Sequence, residues 1–183
     1  MPLVDSHCHL QDAKFDEDRE DVIARALDAV DWLVVIGDDL PTSESAVALI
    51  RPNIYATVGV HPYYAGTVND ETIDRLRTLA AQPGLVGIGE IGLDYYKYNE
   101  TPRDVQHAGF VAQLELAAEL GLPVVIHNRD ADADIARVLD QYAPLMPGVV
   151  LHCFAGDKDM VRRAHDWGFY ISFAGNATYP KAG

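Results

Sequence analysis

The stretch that decides the fold runs from residue 85 to residue 127 and reads LVGIGEIGLDYYKYNETPRDVQHAGFVAQLELAAELGLPVVIH. Apolar runs at 85–91 and 123–127 have the composition of buried strands, because they are short, rich in β-branched residues and bounded by glycine or proline. Between them, apolar residues recur at helical spacing over 102–120. A strand, a helix and a second strand in this order predict a parallel βαβ unit.

The helix within this stretch has a recognisable start and end. Thr101 precedes Pro102 and stands three residues before Asp104, so we expect its hydroxyl to cap the first turn. Gly121 follows the last apolar residue of the pattern and is suited to the left-handed conformation that ends many helices. Gly168 plays the same part after a later helical pattern.

The same alternation continues on both sides of this unit. It predicts strands at 3–8, 32–37, 54–60, 85–91, 123–127, 149–154 and 169–174, with helices at 15–30, 42–51, 70–81, 102–120, 132–142 and 157–167. Strands that are apolar throughout indicate a parallel sheet covered by helices on its faces. Two architectures fit this order, an open doubly wound sheet and a (β/α)₈ barrel, which has eight strands.

Composition excludes several classes of protein. The 183 residues carry 14 Lys and Arg against 28 Asp and Glu, a net charge of −14, so no global basic surface for nucleic acid exists. Bound divalent cations can still supply positive charge locally. Cys8 and Cys153 lack CxxC spacing, and strand alternation turns both away from the histidines beside them, as small buried apolar residues. The length predicts a single domain over 1–183. Because neither a signal peptide nor a membrane-spanning run is found, we expect reduced thiols and a cytoplasmic location.

Polar side chains recur at the carboxyl ends of the predicted strands, where ligands bind in parallel α/β folds. Four are histidines and one is a glutamate, and they belong to the first, fourth, fifth and sixth strands: His7, His9, Glu90, His127 and His152. A closed barrel would gather them at one mouth, whereas an open sheet would spread them along its edge. Their chemistry suits divalent cations such as Zn, Mn or Mg, and we therefore favour the barrel.

Five motifs carry a resemblance to a known family. In chain order they are VDSHCHL at 4–10, GVHP at 59–62, GEIGLDYY at 89–96, IHNR at 126–129 and LHCFAG at 151–156. The set closely resembles the motifs of the TatD-type metal-dependent deoxyribonucleases, TIM-barrel members of the amidohydrolase superfamily, and it covers the whole chain. The resemblance implies an enzyme that acts on DNA. We also expect a monomer with no membrane partner.

The resemblance also implies a ligand set and a mechanism. His7 and His9 would hold one ion, Glu90 would bridge, and His127 and His152 would hold the second. Two ions sharing a water would activate it for attack on the phosphorus of DNA, with Glu90 positioning that water.

One element of the family pattern is not found in the sequence. The pattern places an aspartate at the end of the eighth strand, where it binds metal and can take a proton from the attacking water. The sequence ends after the seventh predicted strand and contains no counterpart. We therefore expect an incomplete, C-terminally truncated barrel whose first and seventh strands keep unpaired edges, and a chain that is weak or inactive as an enzyme.

Four further residues are candidates for contact with the substrate. His61 can contact the scissile phosphate or a base, or serve as a turn histidine. Arg129 can clamp phosphate through its guanidinium, or form a surface salt bridge. Asp94 can contact the substrate, orient a ligand or cap a loop, and Tyr95 can stack on a base or pack within its loop.

Two other functions fit the same residues. One is an amidohydrolase-type enzyme for a small amide, ester or phosphoester, since metals activate water equally well for those substrates. The other is an inactive fragment that binds metal without turnover. Nuclease and small-ester assays with added Mg, Mn or Zn separate these possibilities.

Overall fold

Strands and helices alternate throughout residues 3–179, the part of the chain described in this computed structural model. Seven parallel strands form one sheet, and each pairs with the next along the chain. The strands are β1 (Val4–Cys8), β2 (Trp32–Ile36), β3 (Ile54–Val58), β4 (Leu85–Asp94), β5 (Val124–Arg129), β6 (Val149–Leu151) and β7 (Tyr170–Ile171). The helices are α1 (Arg19–Ala29), α2 (Leu40–Ala48), α3 (Asp70–Ala80), α4 (Arg103–Leu120), α5 (Asp132–Tyr142) and α6 (Lys158–Trp167). Residues 1–2 and 180–183, which the domain prediction includes, lie outside the described residues.

The sheet curls so strongly that distant strands meet. In a flat sheet, β1 and β6 would stand five strand spacings apart, about 24 Å. Instead, the rings of His7 in β1 and His152 after β6 stack with their centroids 3.4 Å apart. The architecture is therefore a curled half-barrel of the TIM type, and the barrel prediction is confirmed over the open doubly wound sheet.

Apolar packing on both sides of the central strands stabilises this curl. One cluster joins β3, β4, β5 and β6 to the helices around them, and Phe110 and Leu114 of α4 are buried at its centre. A second cluster packs α1 and α2 against β1, β2 and β3 through residues such as Ile23 and Val35. Cys8 packs against this second cluster, as strand alternation predicts.

The two edge strands differ from the five inner ones. Within residues 3–179, β1 and β7 have no strand pairing on their outer sides. Large apolar side chains are exposed nearby, including Leu3 (62%), Tyr170 (71%) and Phe173 (71%). The predicted unpaired edges are therefore present.

The differences from prediction lie at the ends of strands and helices. β4 extends to Asp94, whereas β6 ends at Leu151 and β7 covers only Tyr170–Ile171 of the predicted 169–174. Helix α2 begins at Leu40 because Asp39 forms a capping box with Thr42, whereas we expected the helix to begin at Thr42. The hydroxyl of Thr101 donates to the carbonyl of Tyr63 at 2.9 Å and does not cap α4, so that prediction was wrong. Gly121 does end α4 in the left-handed region, with φ of 63°.

Candidate metal centre

The predicted ligands gather at the carboxyl end of the curled sheet. His7 and His127 belong to β1 and β5, and Glu90 lies within β4. His9 and His152 come directly after the ends of β1 and β6. Four of the five line one cavity of about 670 Å³. His7 does not line this cavity, but it contacts Glu90 and His152, which do.

Glu90 is the centre of the arrangement. It is only 4% exposed, and its two carboxylate oxygens face different imidazoles. Oε2 lies 3.3 Å from His7 Nε2, and Oε1 lies 2.8 Å from His127 Nδ1. Burial opposes ionisation, but hydrogen bonds from His127 and His7 outweigh it and hold the pKa of the Glu90 carboxyl well below its usual range. A carboxylate with one oxygen turned to each side is suited to bridge two ions.

His7 and His9 converge on one point. Their Nε2 atoms lie 3.2 Å apart, whereas two nitrogens bound to one ion at about 2.1 Å would be separated by roughly 3.0–3.4 Å. Because a carbonyl oxygen only accepts, the contact of His9 Nδ1 with the Ile36 carbonyl at 3.2 Å places the proton on Nδ1. The Nε2 lone pair of His9 is then free to bind a cation.

His152 stacks on His7 and is held in its neutral form. Their rings are nearly parallel, at 11°, with centroids 3.4 Å apart. Burial and the neighbouring His7 lower the pKa of His152 to about 4. A neutral imidazole keeps a lone pair for a metal ion at physiological pH. The resemblance implies that His152 shares an ion with His127, and in the structure its ring stacks on His7.

His127 lies between two carboxylates. Its Nδ1 faces Glu90, and its Nε2 lies 3.0 Å from Oδ2 of Asp94. Burial alone would lower the pKa of His127, but Asp94 and Glu90 raise it to about 9. Asp94 is 1% exposed and lies behind His127, where it does not line the cavity. A carboxylate behind a histidine is typical of metal sites, in which it orients the ring.

Gly92 allows β4 and β5 to approach closely beside this pair. It is in register with His127, its φ is +142°, and a Cβ at this position would collide with the carbonyl oxygen of His127. Only glycine adopts this conformation readily. Glycine at this position therefore lets His127 lie next to the strand that carries Glu90.

His61 faces the same cavity with a different hydrogen-bonding capacity. Its Nδ1 accepts from the backbone N–H of Tyr63 at 3.2 Å, so the proton of the neutral ring is on Nε2. Burial and the neighbouring His127 lower the pKa of His61 to about 4. The ring packs edge to face against His127, with centroids 4.4 Å apart. His61 is thereby a neutral donor, suited to a phosphate oxygen.

The other two predicted substrate contacts differ in placement. Arg129 lines the cavity, and its guanidinium lies 3.6 Å from the centre of the Tyr96 ring. Tyr95 does not line the cavity: its hydroxyl donates to Asp134 of α5 at 2.6 Å. The loop-packing interpretation therefore describes Tyr95 better than base stacking.

Sequence reasoning missed several residues of the cavity. Tyr63 and Tyr64, in the 3₁₀ helix Pro62–Thr67, line it together with Tyr179 and are all at least 38% exposed. The signal was the tyrosine pair directly after the GVHP motif. Cys153 also lines the cavity beside His152, because its φ of +46° breaks the strand alternation that was expected to turn it away.

Asp38 is the other residue that was missed. It follows β2 at the same end of the sheet, and its Oδ2 lies 3.4 Å from His9 Nδ1. Burial raises the pKa of the Asp38 carboxyl, against the opposing effect of His9. The signal in the sequence was its position two residues after a strand.

The residues present fit divalent cations. Three groups of ligand atoms, each within 4.8 Å of one another, share Glu90: His7, Glu90 and His152; His61, Glu90 and His127; and His9, Asp38 and Glu90. Within residues 3–179, no Lys or Arg nitrogen lies within 4.0 Å of the Glu90, Asp38 or Asp94 carboxylates. Imidazole and carboxylate together suit Mn, Zn and, with water, Mg. In the described part of the chain, no helix has the length and hydropathy needed to cross a membrane.

Comparisons with known proteins agree with this geometry. A family model described as TatD related DNase matches residues 4–183. An uncharacterized metal-dependent hydrolase, YabD of Bacillus subtilis, is 38% identical over 183 residues, which cover 98% of this chain and 71% of YabD. The 3'-5' ssDNA/RNA exonuclease TatD of Cronobacter turicensis is 42% identical over 176 residues, covering 94% of this chain and 66% of that protein. The crystal structure of YJJV, a TatD homolog from Escherichia coli K12, has a TM-score of 0.89 at 28% identity, covering 99% of this chain and 71% of that one.

The curled parallel sheet, with histidines and a buried glutamate at its carboxyl end, defines a metal-dependent hydrolase of the TIM-barrel type. The chain belongs to the TatD-related DNase family. The resemblance inferred from five motifs is thereby confirmed. The chain spans about two thirds of the length of the curated relatives that it matches, 66% to 71%.

Proposed function

We propose that this protein is a two-metal nuclease that hydrolyses phosphodiester bonds of single-stranded DNA. The observation that carries the proposal is the orientation of Glu90, whose two oxygens face separate imidazoles at 3.3 and 2.8 Å on the floor of the cavity. In this proposal His7 and His9 would hold one divalent ion, His127 and His152 would hold the other, and Glu90 would serve both.

Bound divalent ions would supply two effects here, a lower pKa for water and neutralisation of charge on the phosphate. The protein's own residues supply orientation. Glu90 fixes the position of the attacking water between the two groups of ligands. Asp94 holds the ring of His127 through the contact at 3.0 Å. The neutral His61 donates from Nε2 to a nonbridging phosphate oxygen, and Arg129 provides a guanidinium at the cavity wall.

The wall of the cavity supports a single-stranded substrate. Tyr63, Tyr64 and Tyr179 present exposed rings beside the candidate metal centre. Unpaired bases stack on such rings with little dependence on sequence. Relatives named as 3'-5' ssDNA/RNA exonucleases support the same substrate class, so RNA is the natural comparison in an assay. A cytoplasmic location, a monomeric state and a single domain remain predictions.

The test is a nuclease assay on the 183-residue chain, for which the sequence predicts a low rate. Protein stripped with EDTA is reloaded with Mg, Mn or Zn and given a labelled single-stranded oligonucleotide, its duplex and an RNA of the same sequence. Glu90→Gln is expected to lower the rate of hydrolysis at least about 10³-fold, because it removes the negative charge that would attract both divalent ions. Asp130→Asn is the matched control, since Asp130 is exposed at the same end of the sheet.

The outcomes separate the alternatives. Metal-dependent hydrolysis of small esters or amides without hydrolysis of DNA would replace the nuclease by an amidohydrolase-type enzyme. Metal uptake without hydrolysis of either class would identify an inactive metal-binding fragment. A rate for Glu90→Gln equal to that of wild type would refute the proposed centre itself.

A further inference from the structure

Asp38 is held rigidly at the mouth of the half-barrel. Its backbone N–H donates to the hydroxyl of Thr42 at 2.9 Å, and its carbonyl accepts from the N–H of His61 at 2.7 Å. These two bonds tie the residue to α2 and to the turn after β3. The backbone of Asp38 is therefore fixed at the cavity, which its side chain lines together with His9 and Glu90.

The carboxylates of Asp38 and Glu90 are close, and the imidazole of His9 lies beside both of them. An oxygen of Asp38, an oxygen of Glu90 and a nitrogen of His9 lie within 4.8 Å of one another. In residues 3–179, the ion-pair partner of Asp38 is His9, at 3.4 Å, with no Lys or Arg within 4.0 Å. Two carboxylates at this separation repel each other unless a cation lies between them.

The orientation of the His9 ring does not depend on Asp38. His9 Nδ1 is nearer to the Ile36 carbonyl, at 3.2 Å, than to Asp38, at 3.4 Å. The backbone carbonyl therefore already fixes the ring and its proton. The oxygens of Asp38 remain available to a cation at the mouth.

We propose that Asp38 is a further ligand of the metal centre, binding through one carboxylate oxygen beside His9 and Glu90. The inference rests on the proposed metal centre and adds to it an anionic oxygen that the family resemblance did not supply. Such an oxygen shifts the donor set toward hard cations, so the ligand class is Mg²⁺ or Mn²⁺ in preference to softer ions. It also neutralises part of the ionic charge on the β2 side of the cavity.

Calorimetric titration of the metal-free chain with Mn²⁺ is the first test. We expect Asp38→Asn to weaken the binding of one ion by at least about tenfold or to remove it from the stoichiometry, because a charged ligand is lost. Asp130→Asn, the same change at an exposed position at the same end of the sheet, is expected to bind as wild type does. Thermal melting of the metal-free variants reports whether the fold is kept.

Cobalt spectroscopy distinguishes direct ligation from a distant electrostatic effect. Asp38→Cys loaded with Co²⁺ is expected to show a thiolate-to-cobalt charge-transfer band, since a side chain that ligates as aspartate can also ligate as thiolate. Wild type, which already contains Cys153 in the cavity, and Asp130→Cys are expected to lack the band.

The results distinguish a wrong assignment of Asp38 from a wrong assignment of the whole metal centre. Wild-type Mn²⁺ binding with unchanged binding by Asp38→Asn overturns the assignment of Asp38 and leaves the proposed centre in place. Absence of the cobalt band in Asp38→Cys overturns direct ligation. Absence of Mn²⁺ binding by the wild type overturns the proposed metal centre, and the assignment of Asp38 with it.

Discussion

Replacing Asp94 by Asn in the metal-free protein tests whether the carboxylate behind His127 keeps a proton on that ring. Asp94 and Glu90 together raise the pKa of His127 from its ordinary value of 6.5 to about 9, against the effect of burial. The difference between the two values corresponds to about 3 kcal/mol of the free energy of unfolding. The contribution is complete below the unfolded pKa and is lost as pH rises through the folded one, because the folded protein then releases its proton.

Raising the pH from 7.5 to 9.5 should lower the free energy of unfolding of the wild type by about 2 kcal/mol through His127 alone. In Asp94→Asn only Glu90 still favours the protonated ring, so we expect the loss to shrink to about 1 kcal/mol or less. Urea unfolding in EDTA, followed by circular dichroism at pH 7.5 and pH 9.5, measures this loss of unfolding free energy in each variant. The contributions of other titratable groups are the same in both variants and cancel in the comparison. Asp130→Asn is the control. If Asp94→Asn lost as much stability with pH as the wild type, Asp94 would not be the group that holds the proton.

Three other predictions concern the centre and its surroundings. Mn²⁺ affinity should rise as pH increases toward 9, because the proton on His127 must leave before its nitrogen binds the ion. Calorimetric titration in two buffers of different ionisation enthalpy should detect the release of about one proton per binding event at neutral pH. Tyr64→Ala should raise the KM for single-stranded DNA about tenfold and leave hydrolysis of bis(p-nitrophenyl) phosphate unchanged, and equal effects on both would contradict base stacking. Gly92→Ala should lower the free energy of unfolding by more than about 2 kcal/mol, whereas Gly121→Ala, with open space around its Cβ, should cost about 1 kcal/mol. Equal losses in urea unfolding would show that the approach of β4 to β5 does not depend on glycine.

The order of strands and helices could be predicted because each element carries its own local pattern. The apolar run of β5 and the amphipathic run of α4 need no knowledge of the rest of the chain. Helix ends were less predictable, because caps compete with tertiary partners. The hydroxyl of Thr101 had a choice between its own helix and the carbonyl of Tyr63, and the second partner becomes visible only after folding.

The convergence of the site was predictable for a topological reason. Parallel strands bring their carboxyl ends to one edge, and five ligand-type residues at those ends indicate a shared site. The contacts between the ligands were not predictable, because they depend on the curl. The stacking of His7 on His152 joins the first strand to the sixth, and nothing local to either motif specifies that contact.

The positions of the protons on the histidine rings also could not be predicted from the sequence. The sequence contains similar imidazoles, yet the structure makes them chemically different. The Ile36 carbonyl leaves His9 a lone pair toward the centre, whereas the N–H of Tyr63 leaves His61 a proton toward it. One ring is thereby prepared for a cation and the other for an anion, as a site that brings metal and phosphate together requires. In the proposed function this difference would let an acidic chain act on a polyanion, since the cations and a few donors, and not the net charge, would meet the phosphate.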